Sequence, residues 1–163
     1  MIIDPYLLMK EALKEADKGF GEGEVPVGAV IADARGVVIG RAHNQPISKS
    51  DPTAHAEILA LREAGLFCRN YRLEGATLAV TIEPCPMCMG AAVHARIARL
   101  VFGAPDPKWG AAGSLYNLAA DNRLNHWIEV HRGIMEEECL NLMRFFFQSR
   151  RGEKDSGEVP KWS

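Results

Sequence analysis

Two short clusters hold the side chains best suited to chemistry: His55-Ala56-Glu57 and Pro84-Cys85-Pro86-Met87-Cys88. An imidazole and two thiolates make a zinc-binding set, and a catalytic zinc takes three protein ligands and leaves its fourth position to water. Cys85 and Cys88 stand three apart, a spacing that brings two side chains to the same side of a helix. Glu57 is two residues past His55, so on a helix it points in a different direction and stays unligated beside the metal. Zinc lowers the pKa of a bound water from about 15.7 towards about 7. Glu57 can then take that proton, hand it to a ring nitrogen of a substrate, and return one to departing ammonia. The residue types alone support metal-assisted hydrolysis with a carboxylate carrying protons.

The surrounding sequence has to place both clusters at helix starts. Asp51-Pro52 predicts a helix over 53–64, stopped by Gly65. Residues 76–82 read as a central strand, broken by Glu83-Pro84, which opens a helix running to about 95. The free N–H groups and positive end of a helix N-terminus favour thiolate over thiol, which eases zinc binding there. Upstream, Asp4-Pro5 starts a helix on which Met9, Ala12, Leu13, Ala16 and Phe20 recur at helical spacing. Residues 27–32 and 37–41 form a hairpin about Asp33-Ala34-Arg35-Gly36, and a polar loop with Pro46 follows. Downstream come a strand at 99–102, a loop rich in Gly and Pro at 103–114, and a strand at 127–131. A last helix at 134–148 carries Met135, Cys139, Leu142, Met143 and Phe146 on one face. This alternation predicts an α/β chain: a three-layer α/β/α sandwich around a five-stranded mixed sheet. Residues 1–151 form one domain, and 152–163 form a polar tail expected to be disordered.

A chain of 163 residues, 47% of them hydrophobic, suits one domain with a sizeable core. Its apolar runs are too short to cross a bilayer and no secretory signal is visible, so a cytoplasmic location is expected. The net charge of −2 gives no global case for nucleic-acid binding, although Arg144, Arg150, Arg151 and Lys154 gather near the C-terminus. Other readings of the cysteines stay open at this point. A strand followed by C-x-x-C at a helix start also describes a thioredoxin-like redox site, in which His55 and Glu57 have no role. A structural zinc site would need a fourth ligand from Cys68 or Cys139. Phe145-Phe146-Phe147 reads as core more readily than as a stacking platform.

At these residues the chain resembles the cytidine and deoxycytidylate deaminase superfamily, over about 25–151. Hydrolysis of an amidine C–N bond in a nucleobase is what the likeness of H-x-E with P-C-x-x-C to the pattern of zinc base deaminases adds. Val25-Pro26-Val27-Gly28-Ala29-Val30 resembles the family's first strand, and Asp51-Pro52-Thr53-Ala54-His55-Ala56-Glu57-Ile58 its zinc helix. Asn70-Tyr71-Arg72-Leu73 and Gly110-Ala111-Ala112-Gly113-Ser114-Leu115 are similar to its bacterial tRNA-editing branch. The resemblance implies a cytidine-deaminase-like fold, one zinc per subunit on His55, Cys85 and Cys88, and Glu57 as the catalytic acid and base. It also implies conversion of adenosine to inosine at the wobble position of a tRNA, with a free nucleobase or nucleotide as the alternative substrate. The partner implied is the anticodon stem-loop, bound by a homodimer. Asn44 resembles the asparagine that holds the flipped base. Asp106, Lys108 and Asn125 resemble anticodon-loop contacts, and Phe146, Phe147, Arg150 and Arg151 a C-terminal helix that touches RNA. The loop Gly103-Ala104-Pro105-Asp106-Pro107-Lys108-Trp109 departs from the family pattern, because two prolines fix φ and Trp109 adds bulk.

Overall fold

The computed structural model describes residues 3–155. The elements run in the order α1 (Pro5–Gly21), β1 (Gly28–Ala32), β2 (Val38–His43), α2 (Pro46–Lys49), α3 (Ala56–Cys68), β3 (Thr77–Ile82), α4 (Pro86–His94), β4 (Arg99–Ala104), β5 (Glu129–His131) and α5 (Glu136–Asp155). The strands form one sheet, ordered β2-β1-β3-β4-β5. β1 is antiparallel to both β2 and β3, whereas β3, β4 and β5 are parallel, so the sheet is mixed as expected.

β1 is buried at every position because successive side chains enter two different cores. Ala29 and Ile31 join Leu78, Val80, Leu100 and Phe102 beneath α3 and α4. Val30 and Ala32 join Ala79 and Val101 against Leu8, Met9 and Ala12 of α1 and Cys139 of α5. Helices therefore cover both faces, giving the three layers. α1 begins as its sequence predicts, with Oδ1 of Asp4 accepting the N–H of Tyr6 at 2.9 Å and Pro5 in the first turn. The helix lies so close to β1 that a Cβ on Gly28 would collide with the Ala12 carbonyl oxygen.

Three elements differ from the sequence expectation. α3 begins at Ala56 because Asp51 first folds the chain into a side-chain turn. Its Oδ1 accepts the N–H and the hydroxyl of Thr53 at 2.8 and 2.7 Å. α3 also runs past Gly65 and closes at Arg69, which takes a left-handed φ of 52° while Asn70 N–H returns to the Gly65 carbonyl at 3.1 Å. The polar loop contains the short α2, whose orphan Ile47 and Ser48 N–H groups are taken by the buried Glu24 carboxylate at 3.3 and 2.8 Å. α5 continues beyond Gln148, and beyond the domain boundary expected at 151, as far as Asp155. Arg150, Arg151, Glu153 and Lys154 are good helix formers, and the single Gly152 does not outweigh them. The rest of the expected tail lies outside the described residues.

The pairing puts the start of β1, the end of β2 and the C-terminal ends of β3 and β4 at one end of the sheet. α4 starts there directly after β3, and α3 is tied there by Asn44, the first residue after β2.

Candidate active site

At that end of the sheet His55 is the N-cap of α3, Cys85 is the N-cap of α4, and Cys88 lies one turn further on. Neither N-cap side chain makes a capping hydrogen bond to its own helix. Asn44 does the capping of α3 instead, its Oδ1 accepting the Ala56 N–H at 2.8 Å. Cys85 Sγ lies 3.6 Å from Cys88 Sγ and 3.6 Å from His55 Nδ1, and Cys88 Sγ lies 3.5 Å from the same nitrogen. Zinc bonds of about 2.3 Å to sulfur and about 2.0 Å to nitrogen, at tetrahedral angles, set such donors about 3.5 to 3.8 Å apart. The three edges fit zinc, and among the described residues His55, Cys85 and Cys88 form the one cluster of potential metal-holding side chains. Cys68 is exposed and Cys139 is buried in the core on the other face of the sheet, so neither supplies a fourth ligand.

The protons of this cluster are unevenly held. The hydrogen bond from Cys88, and then that from His55, hold the Cys85 thiol down at about 4 in spite of burial. Cys88 is pushed far up by donating to Cys85 and by burial. His55 is raised by its hydrogen bond with Cys85, against burial. Zinc takes thiolate and neutral imidazole, so its binding must expel the protons left on Cys88 and His55. Zinc affinity is therefore expected to rise from pH 6 to pH 8, with about one to two protons released per ion. Calorimetry in buffers of different ionisation heat measures this, and a pH-independent affinity would contradict it.

Glu57, the second residue of α3, is 4% exposed. Burial pushes its pKa up to about 6, over the opposing pull of its own backbone N–H and of His55. A carboxyl poised near neutrality can both take and give a proton. With His55, Cys85, Asn44, Asp106 and Trp109 it lines a cavity of about 510 Å³, of the size that holds small ligands.

The structure sorts the other positions implied by the resemblance. Asn44 and Asp106 line the cavity. Lys108 is exposed on the Asp106 loop, its N–H held by Asp106 Oδ1 at 2.9 Å. Phe146 is a correction: it is 2% exposed and packs edge-on against Phe20, centroids 5.8 Å apart, so it belongs to the core. Phe147 and Arg151 are exposed on α5. The Arg150 guanidinium lies 5.0 Å from the Phe146 ring centroid and donates to the Gly23 carbonyl at 3.1 Å, linking α5 to the segment after α1. Asn125 is not brought to the cavity. It precedes β5 at the opposite end of the sheet, where its Oδ1 accepts from Arg96 Nη1, just past α4, at 3.3 Å.

In the sequence Glu83 reads only as a strand breaker, and the fold gives it a further role. Its 3%-exposed carboxylate accepts the N–H groups of Asp106, Ala112 and Ser114 at 3.3, 3.0 and 3.1 Å, and the Ser114 hydroxyl. It staples the loop after β4 to the turn before Cys85, and a Cβ on Gly110 would run into it. The sequence signal was an acidic residue between an apolar strand and Pro84-Cys85. Glu83→Gln turns an amide NH2 towards these donors and is expected to lower stability by about 2 to 3 kcal/mol, read by thermal unfolding. An unchanged midpoint would remove the staple.

Comparison with known proteins agrees with this site. The family model for the cytidine and deoxycytidylate deaminase zinc-binding region matches residues 4–104. The chain is 52% identical to the tRNA-specific adenosine deaminase of Haemophilus influenzae over 90% of its own length and 85% of that protein's. It is 50% identical to that of Bacillus subtilis over 91% of each. A solved structure from work on A-to-I editing by tRNA:A34 deaminases at the wobble position of transfer RNA superposes with a TM-score of 0.80 and 41% identity, over 83% of this chain and 98% of that one. A guanine deaminase of Nitrosomonas europaea, at 22% identity and a TM-score of 0.78, shares the fold. The chain belongs to the cytidine and deoxycytidylate deaminase family, in the branch of the tRNA-specific adenosine deaminases.

Proposed function

We propose that the chain hydrolyses adenosine to inosine at the wobble position of a transfer RNA. The observation that carries the chemistry is Glu57, a buried carboxyl ionising near neutrality beside a three-donor metal cluster and open to a cavity. The relatives support the substrate. Zinc on His55, Cys85 and Cys88 would supply a Lewis acid that brings the pKa of water towards about 7. Glu57 accepts a proton from the attacking water and passes it to a ring nitrogen of adenine. A second proton goes through Glu57 to the exocyclic amine, which leaves as ammonia while the ring carbon gains a carbonyl oxygen. One water is consumed. Because Asn44 Oδ1 is committed to the Ala56 N–H, its amide NH2 is the group left to donate to a base.

A wobble base lies in a single-stranded loop, so unstacking it costs only a few kcal/mol. The chain's small net negative charge goes with modest affinity that falls with salt. The working unit in this reading is a cytoplasmic homodimer. Leu66, Phe67 and Tyr71, exposed at 81%, 68% and 71% around the end of α3, supply an apolar patch of the kind that marks interfaces. A second copy would also let Asn125 serve a cavity that it does not line in its own chain. Among the described residues no helix is long and apolar enough to cross a membrane.

The test is incubation of the zinc-loaded protein with an anticodon stem-loop bearing wobble adenosine, read for inosine by mass spectrometry. Inosine is the expected product. Turnover of free guanine or deoxycytidylate with none in the stem-loop would replace this substrate.

A further inference from the structure

Trp109 borders the same cavity as Glu57 and still has 65% of its surface exposed. A large aromatic left open at the mouth of a binding cavity calls for a contact. Its backbone is held from several sides. The Trp109 N–H donates to Asp106 Oδ1 at 3.2 Å, and the Gly110 N–H to the Asp106 carbonyl at 2.8 Å. Glu83 grips the loop at Asp106 and again at Ala112. Pro105 and Pro107 fix two further φ angles. An indole on so constrained a backbone loses little freedom when a partner stacks on it. Lys108, exposed beside it, adds a cation, and an aromatic with a neighbouring cation is how proteins hold a single nucleic-acid strand.

Resting on the RNA-editing reading above, we propose that Trp109 is a stacking platform for a nucleotide flanking the edited adenosine. A base that reaches Glu57 carries its chain neighbours to the rim of the cavity, and the indole is the aromatic surface waiting there. The ring sets how firmly the strand is held and contributes nothing to proton transfer.

The test compares wild type, Trp109→Ala and Trp109→Phe on the anticodon stem-loop. Trp109→Ala is expected to raise KM about tenfold with kcat within about twofold, and Trp109→Phe to recover most of the loss. With 2-aminopurine in place of either neighbour of the adenosine, wild type is expected to quench fluorescence at one of them and Trp109→Ala at neither. The exposed ring makes misfolding of the variant unexpected, and its zinc content and thermal midpoint verify that. An unchanged KM with unchanged quenching overturns the platform while leaving the editing reading intact. A raised KM with full quenching assigns the loss to the loop and also overturns the platform. A wild type that makes no inosine overturns both.

Discussion

Glu57→Gln is expected to lower turnover about 10²- to 10⁴-fold and to keep one zinc per chain. The carboxyl is not among the three donors, so elemental analysis should match wild type. A general base works ionised, so the wild-type rate should rise with pH through the Glu57 pKa. That limb should fall at or below about 6, because zinc adds positive charge nearby. In metal-free protein the same substitution is expected to stabilise. Glu57 has a folded pKa of about 6 against an ordinary 4.5, so the fold binds its proton more tightly than the unfolded chain does. Its favourable contribution is complete below 4.5 and is lost as pH rises through 6. The loss amounts to about 2 kcal/mol, at 1.36 kcal/mol per pKa unit. Chelator-stripped Glu57→Gln should therefore melt several degrees above stripped wild type at pH 8, with the gap closing towards pH 4.5. Turnover within tenfold of wild type would end the proton-transfer role, and equal midpoints at pH 8 would end the claim of a buried charge.

The metal cluster was legible because its chemistry sits in local motifs. Two cysteines three apart after an apolar strand, and His-x-Glu after Asp-Pro, each identify themselves within a few residues. The layers were legible too, since strand runs such as Leu78, Ala79 and Val80 are apolar at every position, as burial on both faces requires. What failed was local competition and distance in space. Asp-Pro signals a helix start, but the turn of Asp51 with Thr53 delays α3 to Ala56. That delay makes His55 a cap without a capping bond, facing the cavity instead of lying along the helix.

The RNA positions divide by the same reasoning. The period of α5 already put Phe146 on the face with Cys139, and the core holds both. Its neighbours Phe147 and Arg151, to which the likeness to an RNA-touching helix also extends, are exposed on another side. Asn125 belongs to the 24-residue connection between β4 and β5, whose path no residue pattern dictates, and it lies at the end of the sheet opposite its own chain's cavity. Glu83 was hidden because its four hydrogen bonds all go to residues more than twenty positions away.

His55→Ala is expected to lose both the metal and all measurable deamination. It removes one corner of a three-donor set in which the other corners, Cys85 and Cys88, both lie at the start of α4. Bound zinc would then tie the start of α3 to the start of α4, in addition to their packing in the shared core. A ligand bound only by the folded state stabilises by RT ln(1 + [L]/Kd), about 4 kcal/mol at a thousandfold excess over Kd. Chelation should therefore lower the melting midpoint of wild type to near that of His55→Ala, and added zinc should restore wild type alone. Asn44→Ala separates the two functions of this corner. It removes the cap on Ala56, which costs about 1 kcal/mol, and it leaves all three donors in place. It should bind zinc at full stoichiometry and still respond to chelation. If His55→Ala retained stoichiometric zinc, the ion would have to be held elsewhere, and the role assigned to Glu57 would lose its basis as well.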